Sequence, residues 1–406
     1  MAPFRSVVES ALMAERSEEW VFRLALGAAA ATLVSIAVAQ TLLTLALVTW
    51  VVFRPIRPHW PPYVLPLAVF MLATLAALAA SPDPSVGAGP IRKFLLFPMG
   101  LLAASFVSTE ARVRQVVAAL LVVASVASVV AVVQFGLQYV VFQQTGDVGD
   151  DPRVLARATG FMGHWMTFGG GQMLAWCAAL PLVMTFGMKR YWTGIGIVGS
   201  GIVIGFTRSV WVGAAAATIV VLRYAGLRRL APLLVPVGVV VLLASGLIAG
   251  RIAMSFEEDH TPDTGRIEMA SVGVRMIGDH PLFGVGPERV AEEFPGYYRG
   301  DDIDNLFYGH LHNNFLQIGA ERGVLALLAL IWFFGRIATD LVRGTRDEAT
   351  RWVSVSGLAV LTAFVTAGLF EYNFGDSEVL MLFLFLVSIP YGMAATHRAR
   401  LEVPGR

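Results

Sequence analysis

The stretch "HLHNNFLQIGAERGVL", residues 310–325, places His310, His312, Asn313, Asn314, Gln317, Glu321 and Arg322 at the front of a long apolar run. Histidine titrates near neutral pH, which suits it to removing a proton from a hydroxyl group. Asn313, Gln317 and Glu321 recur at intervals of four and share one helical stripe headed by His312. Such a polar seam in an apolar helix is costly unless it faces a wet cavity. The plainer alternative is an interfacial histidine that caps a helix. A metal site is not expected, because residues two apart do not share a helix face and the histidine and cysteine inventory supplies no zinc set. His310 is left without a task.

Further candidates lie in three other segments. In "GFTRSVWVG", Arg208 stands between two apolar spans, where a guanidinium costs a few kcal/mol unless it is paired or reaches water. It either snorkels to lipid phosphate as an anchor or presents a planar fork to a diphosphate. In "RATGFMGHWMTFGGG", Arg157 and His164 flank a turn that leads into a glycine-rich helix start. Helix packing explains those glycines equally well. In residues 264–298, Ile267, Ala270, Ser271, Val274 and Ile277 outline an amphipathic helix that begins after Thr264 and stops before Pro281. Arg266 in its first turn opposes the helix dipole, so it is either solvated or committed to a ligand. Arg289 in "GVGPER" joins Arg157, His164, Asn313, Gln317 and Glu321 as a candidate substrate contact.

The elements that must hold these residues are membrane helices. Hydrophobic residues make up 56% of the 406, charged residues only 15%, and the mean hydropathy is +0.67, values foreign to a soluble chain. A net charge of +1 gives no basic surplus for nucleic acid. The single cysteine, Cys177, excludes a disulfide framework. The first twenty residues lack the apolar core of a signal peptide.

Apolar segments predict an all-α integral membrane protein with about twelve transmembrane helices, at 20–36, 38–54, 63–80, 91–108, 113–136, 166–187, 191–206, 209–224, 230–250, 313–342, 351–371 and 376–396. The first two come from dividing one run near Ser35 to Gln40. With both termini cytoplasmic, 19 of the 30 basic residues fall inside. Most of the exceptions collect around 137–165, at Arg208 and in 251–312, all on the outer face, where arginines against the topological gradient suggest an anionic ligand. The expected organisation is a cytoplasmic segment 1–19, helices 1–9 over 20–250, a helical periplasmic cap over 251–312, helices 10–12 over 313–396, and a cytoplasmic tail 397–406.

"HNNFLQIGAERGVLA" resembles the ligase signature of the O-antigen ligase and polymerase superfamily: His312, Asn313 and Gly323 match, and Ala326 departs from the expected Gly, Thr or Tyr. "TRSVWVG" is similar to the family's arginine stretch and places Arg208 at its arginine. "RATGFMGH" and "GRIEMASVGVRMIGDHPLFGVGP" look like further family segments in the same order, so the resemblance covers roughly 150–375. It implies a bacterial inner-membrane glycosyltransferase, inverting and metal-independent, without cofactor, acting on the periplasmic side. The implied donor is an undecaprenyl-diphosphate-linked glycan. The implied acceptor is lipid A core for a ligase, or another lipid-linked glycan for a polymerase. Residues matching Arg208 and Arg266 would hold the diphosphate, and the one matching His312 would deprotonate the acceptor. The polymerase spacing of Arg, ten residues, Gly is missed by one residue at Arg157 and at Arg266, a near-match of little weight in a chain with forty glycines, and the ligase motif at His312 favours a ligase. A lipid-linked sugar transporter or a non-catalytic binder is the alternative of another class. A transporter should carry ionisable groups near mid-membrane, whereas here they gather at one edge.

Overall fold

A computed structural model describes residues 2–145, 158–226, 262–300, 303 and 308–402. These form fourteen α-helices, with no strand among the described residues. They are α1 (Ala2–Ala31), α2 (Ile36–Phe53), α3 (Val64–Ala80), α4 (Pro84–Ile91), α5 (Pro98–Phe106), α6 (Glu110–Thr145), α7 (Trp165–Thr185), α8 (Trp192–Ile204), α9 (Arg208–Ala225), α10 (Pro262–Asp279), α11 (Val290–Tyr297), α12 (Asn314–Gly344), α13 (Arg351–Ala367) and α14 (Ser377–Glu402).

Ten of the twelve expected spans each coincide with one of these helices; the ninth, 230–250, and Arg157 lie outside the described residues. Among the described residues, six helical stretches are long and apolar enough to cross a membrane: Ile36–Phe53, Pro84–Phe106, Glu110–Val141, Trp165–Thr185, Asn314–Gly344 and Ser377–Ala399. Val64–Ala80, Trp192–Ile204 and Arg351–Ala367 are apolar but shorter. This is the architecture of a multi-helix membrane protein, without fixing the crossings at twelve. Two boundaries differ from expectation. The first run breaks at residues 32–35 rather than 35–40, so the stretch before residue 20 belongs to the same helix as the first span. The expected span 91–108 is instead a 3-10 turn, Arg92–Leu96, followed by α5, with α4 before it, and Pro90 and Pro98 interrupt regular hydrogen bonding on either side of the turn.

α7 and α14 form the interior of the bundle, most of their length enclosed by other helices, whereas α2 keeps most of its surface bare. Small residues allow this. A β-carbon added at Gly169 would lie 3.1 Å from Val210, at Gly170 2.9 Å from Val379, and at Gly171 2.9 Å from Leu33. The glycine triplet is thus a packing device that lets α9, α14 and the chain after α1 close on α7. Around α14, Phe364 and Phe383 stack with centroids 4.1 Å apart, and Phe334 meets both. Tyr63 and Ser388 share a buried 2.6 Å hydrogen bond, which satisfies two hydroxyls that hydrocarbon would leave stranded.

α12 is broken near its start. Gly323 has φ 76° and ψ 178°, which interrupts the helical ladder. The displaced backbone groups find partners in the segment 281–286: Val324 N–H donates to the Pro281 carbonyl (2.8 Å), the Ala320 carbonyl accepts from Val285 N–H (2.8 Å), and the Glu321 carbonyl accepts from Gly286 N–H (3.0 Å). This contact also seats a small second core. Met269, Val272 and Met276 of α10 and Phe294 of α11 pack with Val285, Val290, Leu311 and Ala320. α10 starts at Pro262, earlier than expected, so Arg266 stands in its second turn, where the unfavourable dipole is weaker.

Replacing Gly170 by Val should cost about 1–3 kcal/mol through overpacking against Val379. The expected result is a lowered thermal midpoint in detergent; an unchanged midpoint would show that α7 and α14 can separate freely.

Candidate active site at the start of α12

His312 takes a left-handed backbone conformation, φ 47°, immediately before Asn313 caps α12. That value is unusual for a residue with a β-carbon and is tolerated where surrounding contacts dictate it. The turn brings the His310 and His312 rings to 4.1 Å between centroids. Both rings face Glu371: His312 Nδ1 lies 3.2 Å from Oε2 and His310 Nε2 lies 3.6 Å from Oε1. The His312 backbone N–H donates to His310 Nδ1 at 3.3 Å. The expectation that residues two apart must diverge fails here because 310–312 precede the helix.

Burial alone would raise the Glu371 carboxyl, but the His312 hydrogen bond and the two imidazoles outweigh it and hold the group below its usual range. An ionised carboxylate only accepts, so the 3.2 Å contact is a hydrogen bond in the tautomer that carries the proton on His312 Nδ1. His310 is pushed down to about 4, first by burial and then by His312, with His164 adding to the effect against Glu371. His310 and His312 therefore share one carboxylate. His310, His312 and Glu371 offer donor atoms within 4.8 Å of one another, a grouping able to hold a metal ion.

Two adjacent asparagines fix this geometry. Asn313 Oδ1 accepts from Phe315 N–H (2.8 Å) and Leu316 N–H (3.0 Å), and its Nδ2 donates to the Leu369 carbonyl (2.9 Å). Asn314 is fully buried. Its backbone N–H donates to the Gly368 carbonyl (2.7 Å), its Nδ2 to Asn373 Oδ1 (2.6 Å), and its Oδ1 accepts from Phe374 N–H (3.0 Å). The turn carrying Glu371 is thereby locked to the residues that carry His312. Sequence spacing gives Asn314 no role of its own and gives no sign of Glu371 as a partner of His312. An acid between two apolar spans, in "LFEYNFGD", was the available signal.

The predicted polar seam is not a wet wall. Gln317 accepts from Leu311 N–H (2.7 Å) and donates to Glu321 Oε1 (2.8 Å), and both side chains are buried. Glu321 also accepts from Glu288 N–H (3.1 Å) and faces Arg322, which reaches Tyr372. These groups dock the 281–289 segment rather than line an opening. Arg289 is buried and ion-paired with Glu293 and Glu292. His164 caps α7 by accepting from Met166 N–H (3.2 Å), while its ring stacks on Trp165.

Arg208 opens α9 with its side chain exposed, and Arg266 is half-buried. Gly213 of α9 abuts Ala363 and Ala367 at the end of α13, so the start of α9 lies at the end of the bundle that holds Glu371. The Thr167 hydroxyl donates to Asp376 (2.6 Å), which brings the starts of α7 and α14 to that end as well. Gln134 pins the "TGFMG" turn through Gly160 N–H (2.9 Å) and its carbonyl (2.8 Å).

Residues 193–331 match the family described as O-Antigen ligase. The matched segment includes Arg208, Arg266, Arg289, His312, Asn313, Gln317 and Glu321, and stops short of Glu371. Comparison with curated proteins gives no match.

Asn314→Ala should destabilise by about 1–3 kcal/mol, because it leaves buried backbone and side-chain partners unsatisfied. Hydrogen exchange across 368–374 should quicken selectively. Unaltered protection there would remove Asn314 from its positioning role.

Proposed function

Taking the O-antigen ligase family segment at 193–331 as the premise, we propose that this chain transfers a glycan from a polyprenyl-diphosphate carrier to an acceptor hydroxyl at the outer membrane face. The observation that carries the proposal is the His312–Glu371 pair, 3.2 Å apart at the start of α12. In this reading Glu371 holds Nδ1–H, so Nε2 accepts the acceptor's proton as its oxygen attacks the anomeric carbon. The bond to the diphosphate oxygen breaks in the same displacement, which inverts the anomeric centre. Charge appears on the departing diphosphate, where Arg208 and Arg266 are the candidate clamps.

Two features support an anionic ligand at this end. Helices α7, α9, α12 and α14 all begin there, so their positive dipole ends add to the arginine charge. Arg208 is exposed at the first position of α9, where the helix dipole favours an anion. The ligase signature at His312, Asn313 and Gly323 favours lipid A core as acceptor over a second lipid-linked glycan. The alternative of a non-catalytic carrier binder gives the His312–Glu371 pair no use. In this reading His312, Arg208 and Arg266 stand at the reacting centre and His164 and Asn313 flank the substrate, whereas the buried Gln317, Glu321 and Arg289 act by holding the 281–289 segment in place; Arg157, also assigned to the substrate, lies outside the described residues.

Reconstituted protein given polyprenyl-diphosphate glycan with either lipid A core or further donor tests the assignment, and product with lipid A core alone is expected. His312→Ala should lower transfer by about 10²-fold or more while donor binding persists. Full transfer by that variant would sink His312 as the base.

For Arg208→Lys, a drop of roughly tenfold or more in turnover is expected because the charge stays but the bidentate fork is lost. Unchanged turnover would return Arg208 to the role of a lipid anchor.

A further inference from the structure

His310 faces the same carboxylate as His312, yet the transfer proposed above gives it no work. Its position has a chemical consequence. Two nitrogens from imidazole and one carboxylate, all within 4.8 Å, make a donor set that suits zinc and its neighbours rather than magnesium or calcium. Two ligands each about 2.1 Å from a tetrahedral zinc stand about 3.4 Å apart. The separations to the Glu371 carboxylate, 3.2 Å from His312 Nδ1 to Oε2 and 3.6 Å from His310 Nε2 to Oε1, lie on either side of that value. The set is also held in place: the left-handed turn at His312 and the Asn314 lock fix the rings and the carboxylate before any ion arrives.

We propose that His310 Nε2, His312 Nδ1 and the Glu371 carboxylate bind a divalent ion of the zinc class, and that this ion switches glycan transfer off. The switching half rests on the reading of His312 as the base. Coordination needs the lone pair on His312 Nδ1, so the ring's proton moves through water to Nε2. Nε2 then donates and can no longer accept the acceptor's proton. At His310 the proton likewise moves from Nε2 to Nδ1, which gives up the 3.3 Å bond from His312 N–H. Each ring keeps one proton and no electrons are exchanged. Water completes the tetrahedron.

The test uses the full chain in nanodiscs after chelator treatment. Zinc chloride is titrated calorimetrically without glycan, with magnesium chloride as control, and transfer is measured separately with and without zinc. The comparison variant is His310→Asn, whose side-chain oxygen can still accept from the backbone N–H two residues on. Wild type should bind one zinc ion and lose transfer about tenfold or more at saturation. His310→Asn should keep at least about half of the basal transfer, bind zinc at least about tenfold more weakly and resist inhibition, because disturbing even the partners of metal ligands costs about 10–100-fold in affinity. Equal zinc binding by wild type and His310→Asn, or none by either, would overturn the site. Binding that depends on His310 but leaves transfer intact or raises it would overturn the switch. Since calorimetry needs no transfer, an inactive preparation or an active His312→Ala variant would count against the base assignment and leave the binding result to be judged alone.

Discussion

Asn314 sits where the polar ends of two membrane helices must be joined, and in surroundings without water its donors and acceptors can be satisfied only by other protein groups. It solves this by bonding to Gly368, Asn373 and Phe374. The solution has only one register, because shifting either partner strands a buried amide. Everything proposed for the site follows from that constraint: the turn bearing Glu371 cannot drift from the turn bearing His312, and the imidazole keeps its proton on Nδ1. A salt link at the surface could not do this, since water would compete for each partner.

The break at Gly323 plays the complementary part on the other side of the site. A continuous helix would use the Ala320 carbonyl for Val324 N–H. Here the carbonyl accepts from Val285, and Val324 turns to Pro281. The exchange conserves hydrogen bonds while attaching the 281–286 segment and, through it, α10 and α11. Side chains close the joint, with Glu321 receiving Glu288 N–H and Arg322 reaching Tyr372 beside Glu371. The two sequence segments that most resembled the ligase family, around Gly323 and "DHPLFGVGP", are therefore two halves of one backbone contact.

Polar residues at one end of the bundle consequently divide by what they touch. Gln317, Glu321 and Arg289 spend their hydrogen bonds inside the protein. His312 and Arg208 stand at starts of helices, where the backbone adds positive potential. The division matters for chemistry because a group already committed to structure cannot follow charge as it develops on a substrate, whereas a basic nitrogen oriented from behind can.

Much of this protein was legible from its residues alone. Hydropathy and helical spacing are local properties, so the membrane class, most helix positions and the polar start of α12 could be read directly. The glycine triplet was equally readable as packing, as Gly170 against Val379 bears out. Partnerships were not readable. Glu371 lies 59 residues from His312, and Asn373 the same distance from Asn314. Periodicity says which face of a helix is polar but not which helix end it meets. For that reason the sequence placed Gln317 and Glu321 on a wet wall, whereas folding buried them against the 281–289 segment and brought an unremarked glutamate to the histidines. In hydrocarbon every polar group must find a protein partner, and only the tertiary structure decides which.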